Sequence, residues 1–482
     1  MKRMLFMGID VGTQGVRCVV VDEAGTLAAA HSVPFNHLNI ANREGWYEQS
    51  PAAWTEAAER AIQVCTSQLG NPEDIAAISI DGTSGTIVPL DAAFRPLANG
   101  IMYNDPRARA QAERIHASQG AIETRLGYRF GASFSLPRVL WVRDELPEVY
   151  EKTRVFAHQA DYIAGMLCGE YCVSDYSNAL KTGYDLIDKV WPETYASELG
   201  LDLGKLPRIE RPGAPIGRVS AASAARLGLP VSAVVTGGST DGYASALAAG
   251  ATAAGRWASI IGTTFVLKGV TERLIVDPNG SSYSHMLPGG EWLLGGAANL
   301  GGRVLNFARG DNSFDEMNAA SESLIPTGVR CYPLTGRGER FPFVHPDCEA
   351  FYAGDITGGR LYPAIMEGVG FAERLAFDRM HALGCEVGDT IYTTGGACRS
   401  PLWLKIRASI LNRRLRVPEV VDAAMGSALL AASERFGGLG RAAEALIRYS
   451  TTVEPDPALA RRYDELYAQF KDDVRKFYSV EV

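Results

Sequence analysis

The strongest constraint on this chain is its opening stretch, Met4 to Asp22, where two apolar runs, Leu5 to Ile9 and Val16 to Val21, flank a turn of small residues. Gly12 and Gly15 remove the Cβ penalty at that turn, so the stretch reads as a β-hairpin. Its tip carries what an anion needs. Gly12 lets backbone N–H groups approach, Thr13 and Gln14 add side-chain donors, and Asp10 ends the first strand where a divalent cation would find a carboxylate. The order strand, Gly262-Thr263-Thr264, strand recurs at Trp257 to Val270. Two opposed phosphate clamps would require such a repeat, although a lone Gly-Thr turn is also an ordinary hairpin.

The chain has 482 residues, which favours two domains of similar size, each able to bury a full core. Topology puts the boundary near Gly250, giving domains 1–250 and 251–482, and the last helix, about 457–478, is free to pack back on the first. A formal charge of -8 argues against nucleic acid or an anionic membrane as a main partner, but not against an anionic substrate held by local N–H groups and a metal. Lys2 and Arg3 precede an apolar run that Asp10 interrupts, too short for a signal peptide. The eight cysteines include no Cys-x-x-Cys pair, which fits a reduced cytoplasm. Cys168 and Cys172 could lie one helical turn apart, but without a nearby histidine they do not make a zinc site.

Along the chain, Leu27 to Phe35 reads as a third strand. Ser50-Pro51 caps a helix to about Leu69 with Trp54, Ala58, Ala61, Cys65 and Leu69 on one face, and Ile75 to Asp81 is the next strand. Three antiparallel strands, a helix and a strand open the ribonuclease H-like or actin-like ATPase domain. Pro106 to Gly169 reads as largely helical, Ser232 to Gly237 as a strand, and Ser239 to Ala249 as a small-residue helix. Further helices are expected over 363–383, 400–411 and 423–436, with a strand over 390–394. Asp456-Pro457 caps a last helix whose Leu459, Tyr463, Leu466, Phe470, Val474 and Phe477 recur at helical spacing, as a packing face would.

Six further segments follow in order: Gly45-Trp46-Tyr47-Glu48-Gln49-Ser50-Pro51; Arg95-Pro96-Leu97 with Ile101-Met102-Tyr103-Asn104-Asp105-Pro106-Arg107; Thr236-Gly237-Gly238-Ser239-Thr240-Asp241; Gly338-Glu339-Arg340-Phe341-Pro342; Glu367-Gly368; and Gly395-Gly396-Ala397-Cys398-Arg399-Ser400 through Trp403. Together they resemble the FGGY carbohydrate kinases over nearly the whole chain, with Tyr103 in place of the usual Trp. The resemblance implies an α/β fold of two actin-like, ribonuclease H-like domains with a central cleft, and transfer of the ATP γ-phosphate to a sugar hydroxyl with Mg²⁺. By position, Asp241 falls on the general base and Asp10 on the carboxylate associated with Mg²⁺. Thr13, Gln14, Arg17 and Gly12 would serve the phosphates from the first domain and Gly262 and Thr263 from the second, with Gly301, Gly396 and Ser400 on the nucleotide side. Arg17 could equally be a solvated face residue, Asp241 an N-cap, and Gly395-Gly396 a plain strand-to-helix turn.

The sugar-facing positions are Asp81, Thr83, Ser84, Tyr103, Asn104 and Asp105. Xylulokinases typically carry Gly-Gln-Met-His-Gly and glycerol kinases an Arg-Glu pair where this chain has Asp81-Gly82-Thr83-Ser84-Gly85-Thr86. Asp81, Thr83 and Ser84 could bond sugar hydroxyls or form a strand-ending turn. The resemblance implies a ketopentose, xylulose first, with ribulose or a polyol such as glycerol or erythritol as alternatives. The expected partners are ATP, the sugar and at most a second copy in a homodimer. Actin-like chaperones and filament ATPases share the hairpins but lack the Gly-Glu-Arg-x-Pro and Ile-x-x-Asn-Asp-x-Arg segments. A sugar-responsive regulator would need a DNA-reading module, whereas this chain opens directly on the first strand.

Overall fold

The computed structural model describes residues 3–35 and 44–481; Lys2, read above as part of the charged start, lies outside them. The opening hairpin forms as β1 (Leu5–Val11) and β2 (Gly15–Asp22), and β3 (Leu27–Pro34) continues the antiparallel meander. Helix α1 (Pro51–Gln68) buries Trp54, Ala58, Ala61 and Cys65 as its spacing predicts, while Leu69 is only half-buried. By area, a buried Trp contributes up to about 4–6 kcal/mol. Ser50 stands at the N-cap, but its carbonyl rather than its hydroxyl accepts from Ala53 and Trp54. β4 (Ile75–Gly82) runs parallel to β1 with Asp81 beside Asp10. The helix α2 (Ser135–Glu145), β5 (Val234–Thr236) and α3 (Asp241–Ala249) follow. The helix expected from Ser239 starts at Asp241, because Ser239 and Thr240 pair in parallel with Asp81 and Gly82.

Further along lie β6 (Trp257–Ile261), β7 (Phe265–Thr271), β8 (Trp292–Ala297), α4 (Leu361–Ala382), β9 (Thr390–Thr394), α5 (Pro401–Leu411), β10 (Arg414–Pro418), α6 (Ala423–Phe436) and α7 (Pro457–Tyr478). The sheet order is β3-β2-β1-β4-β5 in the first case and β8-β7-β6-β9-β10 in the second. Both hold three antiparallel strands and continue with parallel pairing on the other side of the first of these in chain order, β1 or β6. The echo read at Trp257 is therefore a repeat of a whole ribonuclease H-like topology.

The two compact units are not consecutive halves. One comprises Met1–Ala248, His285–Gly290 and Asp422–Ile447, the other Ala249–Ser284, Glu291–Val421 and Arg448–Val482, so two segments from beyond residue 250 join the first unit. The reason is packing of α6 on β1. A Cβ built on Gly8 would lie 1.8 Å from the Ala424 carbonyl oxygen and 2.5 Å from the Ala428 nitrogen, so strand and helix backbones touch there. Nor does α7 belong to the first unit. Its Tyr463 and Phe470 pack against Phe371 of α4, with ring centroids 6.0 and 5.4 Å away. The buried face of α7 is Ala460, Tyr463, Tyr467, Phe470, Val474 and Tyr478; Leu459 and Leu466 are half-buried and Phe477 is exposed, though stacked on Phe351 at 4.6 Å.

Gly8→Ala is expected to destabilise the chain by about 3 kcal/mol or more, since backbone must move to admit the methyl group. Gly70→Ala, where an added Cβ meets nothing within 4 Å, should be close to neutral. Thermal unfolding reads the difference, and equal melting temperatures would show that α6 is not seated on β1.

Candidate active site

In the first unit, register brings the acids together. Asp10 stands opposite Arg17 on β2 and beside Asp81 on β4, and Ser239 pairs with Asp81 just ahead of Asp241. Arg17 Nη1 donates to Asp10 Oδ2 at 2.9 Å and its Nε lies 3.6 Å from Asp422. Asp10 Oδ1 is buried with no partner among the described residues. Burial raises the Asp10 pKa, against hydrogen bonding from Asp81 and Arg17. Burial first, then the charge of Asp10, pushes Asp81 well above the carboxylate range. The shift is the larger at Asp81, the more deeply buried of the two.

Asp81, expected either to bond a sugar hydroxyl or to end the strand in a turn, is engaged within the protein. Asp81 is fully buried and its Oδ2 accepts from Ser427 Oγ at 2.7 Å. Thr83 is equally engaged: its N–H and hydroxyl both donate to Gln159 Oε1, at 2.9 and 2.7 Å. Asp105 accepts from the Tyr47 N–H at 2.6 Å and from the Arg107 guanidinium at 2.8 and 2.6 Å. Burial raises its pKa, but the bonds from Arg107 and Tyr47 outweigh that and leave it lowered, as a structural clamp requires. Arg107 is itself pressed on the Trp46 ring at 3.8 Å. Of residues 81–86 only Ser84 escapes full burial, while Tyr103 and Asn104 are exposed.

Asp241 is the first residue of α3. The Gly242 N–H donates to its Oδ1 at 2.6 Å. Burial, then the charge of Asp10, pushes its pKa up to about 6, against the N–H groups of Gly242 and Ser84 and the charge of Lys181. Lys181 was not singled out in the sequence. Its ammonium sits 4.2 Å over the Phe134 ring in a buried setting, and the only signal was a lone charge in the run Asn178-Ala179-Leu180-Lys181.

The phosphate turn is braced from behind. Gly12 N–H donates to the Gly15 carbonyl at 3.0 Å, and Gln49 Nε2 donates to the Thr13 carbonyl at 2.9 Å. Gln49 thus explains the Gly-Trp-x-Glu-Gln-x-Pro segment, seen in the sequence without a role. Thr13 is half-buried and Gln14 exposed. Gly15 is needed by packing, since its Cβ would strike the Val33 carbonyl oxygen at 2.4 Å. Gly12 is not: its φ is not left-handed, and its Cβ would meet nothing closer than 3.5 Å.

In the second unit a cavity of about 600 Å³, within the range of small-molecule sites, is lined by Gly262, Thr263, Gly302, Asn318, Gly396 and Ser400 among others. Ser400 also caps α5, accepting from the Trp403 N–H at 3.1 Å. Gly301 does not line the cavity. Its Cβ would lie 2.4 Å from Thr264 Cα, so it is a packing glycine, and Gly302 takes the lining position. Glu339 of the Gly-Glu-Arg-x-Pro segment holds this loop by accepting the Asn299 N–H at 2.6 Å and the Leu300 N–H at 3.4 Å.

Two ribonuclease H-like units, one with carboxylates at its strand ends and the other with a nucleotide-sized cavity, define a phosphotransferase that uses ATP. The chain belongs to the FGGY family of carbohydrate kinases, whose N-terminal domain matches residues 5–248 and C-terminal domain residues 258–434. It is 28% identical to a protein named xylulose kinase from Bacillus subtilis, covering 97% of this chain and 96% of that one. Among solved structures it resembles the xylulose kinase from Rhodospirillum rubrum with a TM-score of 0.86 and 25% identity, covering 99% of this chain and 100% of the other. The glycerol kinase from Plasmodium falciparum shares the fold, with a TM-score of 0.84 at 18% identity and 99% of each chain covered.

Gly12→Ala is expected to leave the melting temperature unchanged and raise the KM for ATP, because the methyl group would fill space that the protein itself leaves free. Gly15→Ala should instead lower the melting temperature. A Gly12→Ala protein with unaltered KM would show that the turn does not approach phosphate.

Proposed function

We propose that this chain phosphorylates a ketopentose hydroxyl with ATP and Mg²⁺, xylulose being the first candidate, with Asp241 as general base. The observation that carries the reading is Asp241 itself, oriented by two backbone N–H groups at a helix start and pushed up to about 6. A base with its pKa near operating pH combines availability with proton affinity, and such catalysis contributes roughly 10²–10⁴-fold. Gly242 occupies Oδ1, and Lys181 favours the ionised form against the repulsion from Asp10. Thr13, Gln14 and the Gly12 turn would hold phosphate, with Arg17 tethering Asp10.

The unpartnered, buried Oδ1 of Asp10 fits a cation, and Asp10 would hold the Mg²⁺. Mg²⁺ takes one or two carboxylates plus substrate phosphates, and supplies charge neutralisation to the phosphoryl oxygens. In the second unit Gly262, Thr263, Gly396 and Ser400 would hold the nucleotide. On the sugar side Ser84, Tyr103 and Asn104 remain the candidates, since the other three positions are spent on internal bonds. Full-length likeness to proteins named xylulose kinase supports the first substrate. Because the Asp81 to Thr86 segment differs from the xylulokinase motif and from the glycerol kinase pair alike, ribulose or a polyol such as erythritol or glycerol stands as the second reading. Eight free cysteines fit a reducing, cytoplasmic setting.

A coupled ADP-release assay over pentuloses, hexuloses, tetritols and glycerol tests the substrate, with the highest kcat/KM expected for xylulose. Asp241→Asn should lower kcat by about 10²–10⁴-fold with nucleotide affinity nearly unchanged; turnover within a few-fold of wild type would remove the base from Asp241. The protonated carboxyl cannot accept a proton, so kcat/KM should fall as pH drops through about 6. An acid limb near 4 would mean that burial and Asp10 do not perturb Asp241.

A further inference from the structure

Arg138 on α2 is fully buried, and its guanidinium donates to four backbone carbonyls rather than to a carboxylate. Nη1 donates to Gly85 at 2.8 Å and Phe134 at 3.1 Å; Nη2 donates to Tyr103 at 2.6 Å and, more weakly, to Asp105 at 3.4 Å. Burial lowers its pKa to about 9, which leaves it charged at neutral pH. A buried charge is costly, and an apolar side chain of the same length would fill the space more cheaply, so what the fork joins matters. It joins the Ser84 segment to the Tyr103–Asn104 segment.

The Ser84 segment has little freedom of its own. Thr83 is pinned to Gln159 on one side. Gly85 has φ +91°, and a Cβ there would lie 2.4 Å from the Ser133 carbonyl oxygen. The Ser84 N–H, in turn, helps to fix Asp241. The planar fork reaches both carbonyls at once, which a point charge on a flexible stem cannot do.

We infer that Arg138 is a positioning residue that sets the spacing between Ser84 and Tyr103–Asn104, and thereby which pattern of acceptor hydroxyls the enzyme prefers. This rests on the reading that those two segments meet the sugar. It is tested by steady-state kinetics of Arg138→Met and Arg138→Lys with xylulose, ribulose, erythritol and glycerol, alongside the KM for ATP and thermal unfolding. Arg138→Met should raise the KM of the best acceptor about tenfold or more and reorder the acceptors by kcat/KM, with the KM for ATP within about twofold of wild type. Arg138→Lys, which keeps the charge and loses the fork, should move both quantities part of the way. An unchanged acceptor KM and ranking, with loss confined to kcat or melting temperature, would make Arg138 merely structural. If Arg138→Met does not fold, the same criteria applied to Arg138→Lys decide. Failure of the sugar-kinase reading is distinct, because wild-type protein would then release no ADP with any acceptor.

Discussion

Parallel register at three strand ends forces Asp10, Asp81 and Asp241 into one neighbourhood, and much of the first unit serves to make that tolerable. Adjacent strands lie about 4.8 Å apart, and two unit charges at roughly that distance repel by about 3 kcal/mol at an effective dielectric of 20. The solutions differ for each acid. Asp81 gives Oδ2 to Ser427; Asp10 is tied to Arg17; Asp241 takes the Gly242 N–H and the field of Lys181. Each acid thus sits in a different electrostatic setting. The middle acid is fully buried and engaged with Ser427.

The glycines divide along the same line between scaffold and chemistry. Gly8, Gly15, Gly301 and Gly426 are compelled by the protein, since a Cβ on each would run into backbone at 2.5 Å or less. Gly12, Gly262 and Gly396 have no such neighbour and no left-handed φ, and the last two line the cavity of the second unit. A residue that gives up its side chain without an internal reason costs backbone entropy.

Local patterns were legible: the hairpins, the amphipathic face of α1, the Asp456 cap with its two N–H bonds at 2.9 and 3.2 Å, and the helix-start position of Asp241. The motifs did not tell which of their residues are engaged inside the protein. Thr83 and Asp105 look like sugar ligands in one dimension, and only their bonds to Gln159 and Arg107 show them spent. Arg138 and Ser427 were invisible because their partners lie far along the chain, at Gly85 and Tyr103 and at Asp81. The same holds for α6, whose place on β1 depends on Gly8 meeting Ala424 across more than four hundred residues of sequence. Periodicity reports which face of a helix is apolar, not which sheet will receive it.

The repeated topology also explains why the chemistry is unevenly shared. Aligned on the Gly-Thr turns, Gly12-Thr13 against Gly262-Thr263, Asp10 corresponds to Ile260, and its parallel neighbour Asp81 corresponds to Thr394, which pairs with Ile260. The turn itself is tighter in the second unit, where Gly262 N–H bonds to the Thr264 carbonyl at 3.0 Å, compared with Gly12 to Gly15 in the first. A scaffold that brings two neighbouring strand ends together sets any acids there within repulsion of one another. The second unit carries neither acid, so it avoids that electrostatic cost and keeps a neutral turn beside its cavity. Backbone N–H groups without a carboxylate behind them suit a polyanionic nucleotide, whereas the acids of the first unit suit metal binding and proton transfer.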